Sequence, residues 1–158
     1  AIDNGIIVDE NLRTSASRVY AIGDCVSYDH FHAGRRVRLE SVQNATDQAK
    51  HVARTIVGRE APFREVAWFW SDQGDMKLQT AGLSFDADRH ILSGNPEENA
   101  FSIFHFAGDR LVAVDSINRP ADHMIARRLL AAGINPTEAD IAAGAARLKE
   151  MLAAAPKS

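Results

Sequence analysis

The sequence carries a single cysteine, Cys25, so an intramolecular disulfide, a Cys-x-x-Cys redox pair and a four-cysteine metal centre are all excluded. Such sparing use suits a reducing compartment, and a cytoplasmic location is expected. No apolar run approaches the roughly 20 residues of a membrane-spanning helix, and no secretory leader pattern is present. Neither sign of charge dominates: 18 Lys and Arg stand against 21 Asp and Glu, a net −3, with no overall basic bias toward nucleic acid or a membrane surface. Internal repeats are absent. So is the Gly-x-Gly-x-x-Gly turn that follows a strand and cradles a dinucleotide pyrophosphate. The chain opens at Ala1, inside what reads as a turn before a strand, and is expected to be a fragment.

What remains is ordinary for a globular chain, 46% hydrophobic and 25% charged. A chain of 158 residues buries about 70% of its unfolded surface, enough for a real core. The organising stretch is V-Y-A-I-G-D-C, Val19 to Cys25. Val19 to Ile22 read as a short buried strand. Gly23 permits a sharp turn and a close approach. Asp24 then stands where that strand ends. In open α/β sheets ligands gather at the carboxyl ends of strands, and an acid there accepts hydrogen bonds from hydroxyls. Capping of a turn explains the same residue without a ligand.

Asn4-Gly5 signals a turn before a strand at Ile6 to Val8. Ser27 to Val37 reads as a surface loop. Cys25, His30 and His32 fall short of the ligand number and spacing of a metal site, and none is expected. Arg35, Arg36 and Arg38 form either a solvated face or a docking patch for an acidic electron-transfer protein. Glu40 to Ile56 is predicted helical, with an apolar stripe of Ala45, Ala49, Val52, Ala53 and Ile56. Its start, Glu40 to Gln43, offers unpaired backbone N–H groups suited to an anion. Arg59 to Val66 reads as a linker. Met76 to Phe85, His90 to Leu92, Ala100 to Phe106 and Arg110 to Ile117 read as strands of an antiparallel sheet, with a bulge permitted at Gly82 and His105 a structural histidine. Ser71 to Gln73 are expected to shape a turn. Pro120 to Ala132 is a helix closed by Gly133. Thr137-x-x-Asp140 resembles a capping box opening one last helix to about Ala154, before a disordered tail from Pro156.

Four blocks, in this order, carry a resemblance: G-I-I-V-D-E-N-L-R-T-S at Gly5 to Ser15, the Gly23-Asp24 stretch, R-L-E-S-V-Q-N-A at Arg38 to Ala45, and W-F-W-S-D-Q at Trp68 to Gln73. N-R-P-A-D at Asn118 to Asp122 joins them. Together they resemble the C-terminal part of FAD-dependent ferredoxin or rubredoxin reductases, within the pyridine nucleotide-disulphide oxidoreductase class. The resemblance implies an α+β chain. Residues 1–65 would be the C-terminal remnant of a flavin-binding α/β domain, and 66–158 an antiparallel-sheet-plus-helices reductase C-terminal domain. It implies electron transfer from NAD(P)H through FAD to a ferredoxin or rubredoxin, in a full-length parent whose missing portion holds the pyrophosphate turn. This chain alone is expected neither to bind FAD nor to be active. Gly23 and Asp24 would hold the ribityl chain. Glu40, Ser41, Val42 and Gln43 would set the helix start against the reduced ring, with Val42 and its neighbours donating main-chain hydrogen bonds. Trp70 would cover the ring and carry electrons outward. The competing expectation is a non-catalytic dimerisation or docking module, including a possible homodimer.

Overall fold

The computed structural model describes residues 1–155; the tail from Pro156 lies outside them. The chain divides into two compact units, Ala1–Ala67 and Trp68–Ser158.

In the first unit β1 (Ile6–Ile7) pairs in parallel with β2 (Val26–His30), which pairs antiparallel with β3 (Arg35–Val37). Thus the stretch read as a loop is a hairpin, and the buried strand follows Asp24 rather than preceding it. Val26, Ser27, Tyr28 and His30 are buried, whereas Val19 is 49% and Ile22 39% exposed. A four-residue apolar run gains a strand only if a neighbour accepts its backbone, and here Tyr20 finds one isolated bridge, to Arg13. α1 (Val42–Ile56) starts at the N-cap Ser41, whose hydroxyl accepts the Asn44 N–H. Arg59 to Val66 folds back on this unit: the Phe63 N–H donates to the Glu10 carbonyl, and its ring packs edge-on against Tyr28 and His51.

The second unit is a five-stranded antiparallel sheet of β4 (Trp68–Gln73), β5 (Met76–Gly82), β6 (Arg89–Asn95), β7 (Ala100–Ala107) and β8 (Arg110–Ile117), in the order β4-β5-β8-β7-β6. Ser71 to Gln73 therefore belong to an edge strand, and the turn lies beyond them. The register irregularity falls at His105/Phe106, not at Gly82. Gly82 is instead a close crossing: a Cβ there would stand 2.1 Å from the Val112 carbonyl oxygen. α2 (Pro120–Ala132) packs on β8 and β5, burying Ile125, Ala126, Leu129 and Leu130. The expected last helix is two, α3 (Glu138–Ala142) and α4 (Ala145–Ala154), because Gly144 adopts φ 85° between them. The capping box forms as expected, Thr137 and Asp140 satisfying each other's backbone N–H groups.

Candidate functional site

The first unit brings the Gly23-Asp24 turn alongside the opening turns of α1. The connection is a side chain the sequence reading passed over. Gln48, fully buried on α1, accepts the Gly23 N–H at 2.7 Å through Oε1. Its Nε2 is buried with no hydrogen-bond partner among the described residues. Arg38 closes the other side, donating to the Asp24 carbonyl at 3.2 Å and pairing with the carboxylate of Glu40. Gly23 takes φ 83°, which favours glycine, and the nearest atom to a Cβ there would be that of Ala45 at 3.8 Å. The space beside it is open. Asp24 is exposed, and its carboxylate has no partner among the described residues.

The helix start is fixed from below. Tyr28 of β2 donates its hydroxyl to Asn44 Oδ1 at 3.0 Å, and Asn44 Nδ2 donates to the Leu39 carbonyl at 3.2 Å. Burial raises the Tyr28 pKa, so its proton stays in place. The buried side of α1 is thus Asn44, Gln48, Val52 and Thr55; of the expected apolar stripe it includes Val52 alone. The segments on either side of Gly23 and before Ser41 run outside regular ladders, and amide side chains supply their missing partners. Asn44 and Gln48 stand four apart, on one face of a helix. That spacing was the available signal.

Of the expected site residues, Ser41 is the N-cap, Gln43 donates to both oxygens of Asp47 at 2.8 Å, and Val42 is 68% exposed. No acidic residue occupies the first turn of α1, so its partial positive charge is not offset from within the turn. Glu40 is engaged by Arg38 instead.

Arg36 is paired likewise, donating to Asp29 and to the Ser27 carbonyl within the hairpin. Cys25 is exposed, and His30 Nδ1 accepts the N–H groups of His32 and Ala33. Among the described residues no group of three or more His, Cys, Asp or Glu side chains is placed to hold a metal ion. No described helix is long and apolar enough to cross a membrane.

Trp70 lies in the second unit, on edge strand β4 and 39% exposed. Its ring leans on Trp68, centroid to centroid 5.5 Å. Trp68 is held in turn by α2: the Arg127 guanidinium lies 4.4 Å over it, and the buried His123 ring is 5.3 Å away. His123 has both ring nitrogens unpartnered among the described residues; burial, with Arg127 nearby, lowers its pKa to about 4 and keeps it neutral. Asn118, at φ 53°, exchanges hydrogen bonds with the Lys77 backbone, and Arg119 pairs with the buried Asp122 at 2.9 Å. These hold the corner between β8 and α2.

Comparison with known proteins follows the same division. Residues 68–152 match the reductase C-terminal family, and residues 1–49 match the pyridine nucleotide-disulphide oxidoreductase family. Rhodocoxin reductase of Rhodococcus erythropolis is 51% identical over 130 residues, covering 82% of this chain and 30% of that protein. The crystal structure of a ferredoxin reductase for the CYP199A2 system from Rhodopseudomonas palustris aligns with a TM-score of 0.89 at 40% identity, covering 96% of this chain and 38% of that one. The reductase in a covalent putidaredoxin reductase–putidaredoxin complex aligns at 0.90 with 35% identity, covering 98% of this chain and 37% of that one. The chain thus spans about a third of the length of such relatives. It belongs to the reductase C-terminal family, and its α+β architecture is that of the matched part of a ferredoxin reductase.

Proposed function

We propose that this chain is the flavin-facing C-terminal portion of an NAD(P)H-dependent reductase that passes electrons to a ferredoxin or rubredoxin. The observation that carries the reading is the pairing of an open glycine-acid turn with an acid-free helix start, tied together by Gln48. FAD, when bound, converts a hydride into single electrons. The residues suit it: Asp24 has a free carboxylate for ribityl hydroxyls. The α1 start, with Ser41, Val42 and Gln43, offers N–H groups to an electron-rich ring edge. Trp70 supplies an indole whose tilt is set by Trp68. In this reading residues 1–65 are the incomplete end of the flavin domain and 66–158 the reductase C-terminal domain. The single exposed cysteine suits the cytoplasm.

The full-length parent tests it. It should purify with a flavin absorption band, oxidise NADH or NADPH, and reduce cytochrome c through an added ferredoxin or rubredoxin. Asp24→Ala should lower flavin retention. Trp70→Ala should slow reduction of the iron–sulfur partner at equal flavin content. A colourless parent with no nicotinamide oxidation overturns the reading. The 158-residue chain alone should show no flavin band, and a band would refute that part.

A second reading, a non-catalytic dimerisation or docking module, draws on the apolar side of α1 left uncovered within its own unit. Ile56 is 67% and Val57 70% exposed, with Ala49 and Ala53 between them and Val42. A dimeric mass in solution, lost on Ile56→Asp, would favour it.

A further inference from the structure

A second cluster of chemistry-bearing side chains lies on the sheet of the second unit, and the proposed electron transfer makes no use of it. His90 on β6 and His105 on β7 stand directly opposite each other in the antiparallel register. Their Nδ1 atoms face each other at 2.8 Å. Behind His105, its Nε2 meets Asp115 Oδ2 of β8 at 2.9 Å. Ser102, whose hydroxyl reaches Asp122 of α2, marks the covered face of the sheet. Side chains alternate along a strand, so His105, three residues on, points to the opposite face. There His90 is exposed and the His105 side chain is 11% accessible.

For two neutral imidazoles the tautomers follow from the partners. A carboxylate only accepts, so His105 Nε2 carries the hydrogen and donates it to Asp115. The Nδ1 lone pair of His105 is then aimed at His90, whose Nδ1–H donates to it. That is the arrangement of a metal-ligating histidine whose remote nitrogen is held by a carboxylate, which fixes the tautomer and raises ligand basicity. The irregularity at His105/Phe106 sits at this point, and bulges commonly re-aim a side chain.

We propose that His90 and His105 form a two-imidazole site for a divalent transition-metal cation, with Asp115 as the positioning residue behind His105. Imidazole selects Zn²⁺, Ni²⁺ or Cu²⁺ over Mg²⁺ and Ca²⁺, which prefer oxygen. Two metal–nitrogen bonds of about 2.0–2.1 Å at a tetrahedral angle place the nitrogens roughly 3.3 Å apart. The pair therefore opens by about half an ångström to admit the ion. His90 passes from its Nδ1–H to its Nε2–H tautomer, a change without net loss of a proton. Water fills the remaining coordination positions, as the exposed side of the pair allows.

The test is calorimetric titration of the untagged full chain with ZnCl₂ or NiCl₂, alongside the ¹H–¹³C spectrum of its histidine rings. One equivalent should bind saturably, MgCl₂ should not, and the rings of His90 and His105 should move first. Because the ion would join edge strand β6 to β7, the melting temperature should rise with added Zn²⁺. His90→Ala, at an exposed position, should abolish both the heat and the thermal shift while the circular dichroism spectrum is unchanged. Asp115→Asn should weaken binding about 10–100-fold. Cys25→Ser should leave it intact. No saturable binding by the wild type, or binding undiminished in both His90→Ala and His105→Ala, overturns the proposal.

Discussion

Asp122 is the residue on which the polar interior of the second unit turns. It is buried at the first turn of α2, accepts from Arg119 at 2.9 Å and from the Ser102 hydroxyl at 3.0 Å, and Ser102 in turn shares a hydrogen bond with Ser116. Replacing it strands two donors whose desolvation has already been incurred. Asp122→Ala should cost about 3 kcal/mol, the low end for a broken buried pair because Arg119 keeps some solvent. Urea unfolding measures it. Two histidines set the acid side of the stability profile. Burial lowers the pKa of His30 to about 4, with His32 adding to the effect, and His123 is lowered likewise. Between the ordinary histidine value, about 6.5, and that folded value, the unfolded chain binds more protons than the native one. Stability should therefore be full above about pH 6.5 and fall as pH drops toward 4, by up to about 3 kcal/mol per histidine. His123→Phe should flatten that slope in a pH series of melts. Little of this was legible in the sequence. Asp122 could be placed at a corner by its block, but His30 and His123 carry no local pattern. His123 lies against Trp68, distant along the chain.

At the scale of elements, local chemistry and tertiary geometry divide cleanly. The Thr137–Asp140 box, Pro120 opening α2 and Gly133 closing it with φ 64° are short-range devices readable from residue order. Gly82 permits a bulge by sequence, yet its reason is contact: β5 passes the Val112 carbonyl closely enough to exclude any Cβ, at φ 80°. Gly82→Ala should cost about 3 kcal/mol or more, since it adds a left-handed penalty to a backbone clash. A thermal melt beside Gly108→Ala, where a Cβ meets nothing within 4 Å, separates the two effects. α1 gives the complementary lesson. Of the expected apolar stripe only Val52 turns inward, while Ala49, Ala53 and Ile56 stay exposed within the unit. Periodicity could not tell that Asn44 and Gln48 turn inward to serve two loops, leaving the alanines outside within that unit.

Across the whole molecule, the two units differ in how completely they cover themselves. The second has five paired strands with α2 packed on one face and α4 on α2. The first has strands of two, five and three residues. Residues 68–158 expressed alone should unfold in one cooperative transition, whereas 1–67 alone should show none; chemical-shift dispersion and calorimetry distinguish the outcomes. Residue order alone determined the α+β class, the strands from Met76 to Ile117, the limits of α2 and the family, because each rests on neighbours within a few positions or on blocks in a fixed succession. Only the tertiary structure decided that Val26–His30 rather than Val19 to Ile22 is the buried strand, which side of α1 turns inward, and that His90, His105 and Asp115 meet. Those outcomes depend on pairings across the chain, and a periodic pattern states which side chains lie together without stating what will cover them.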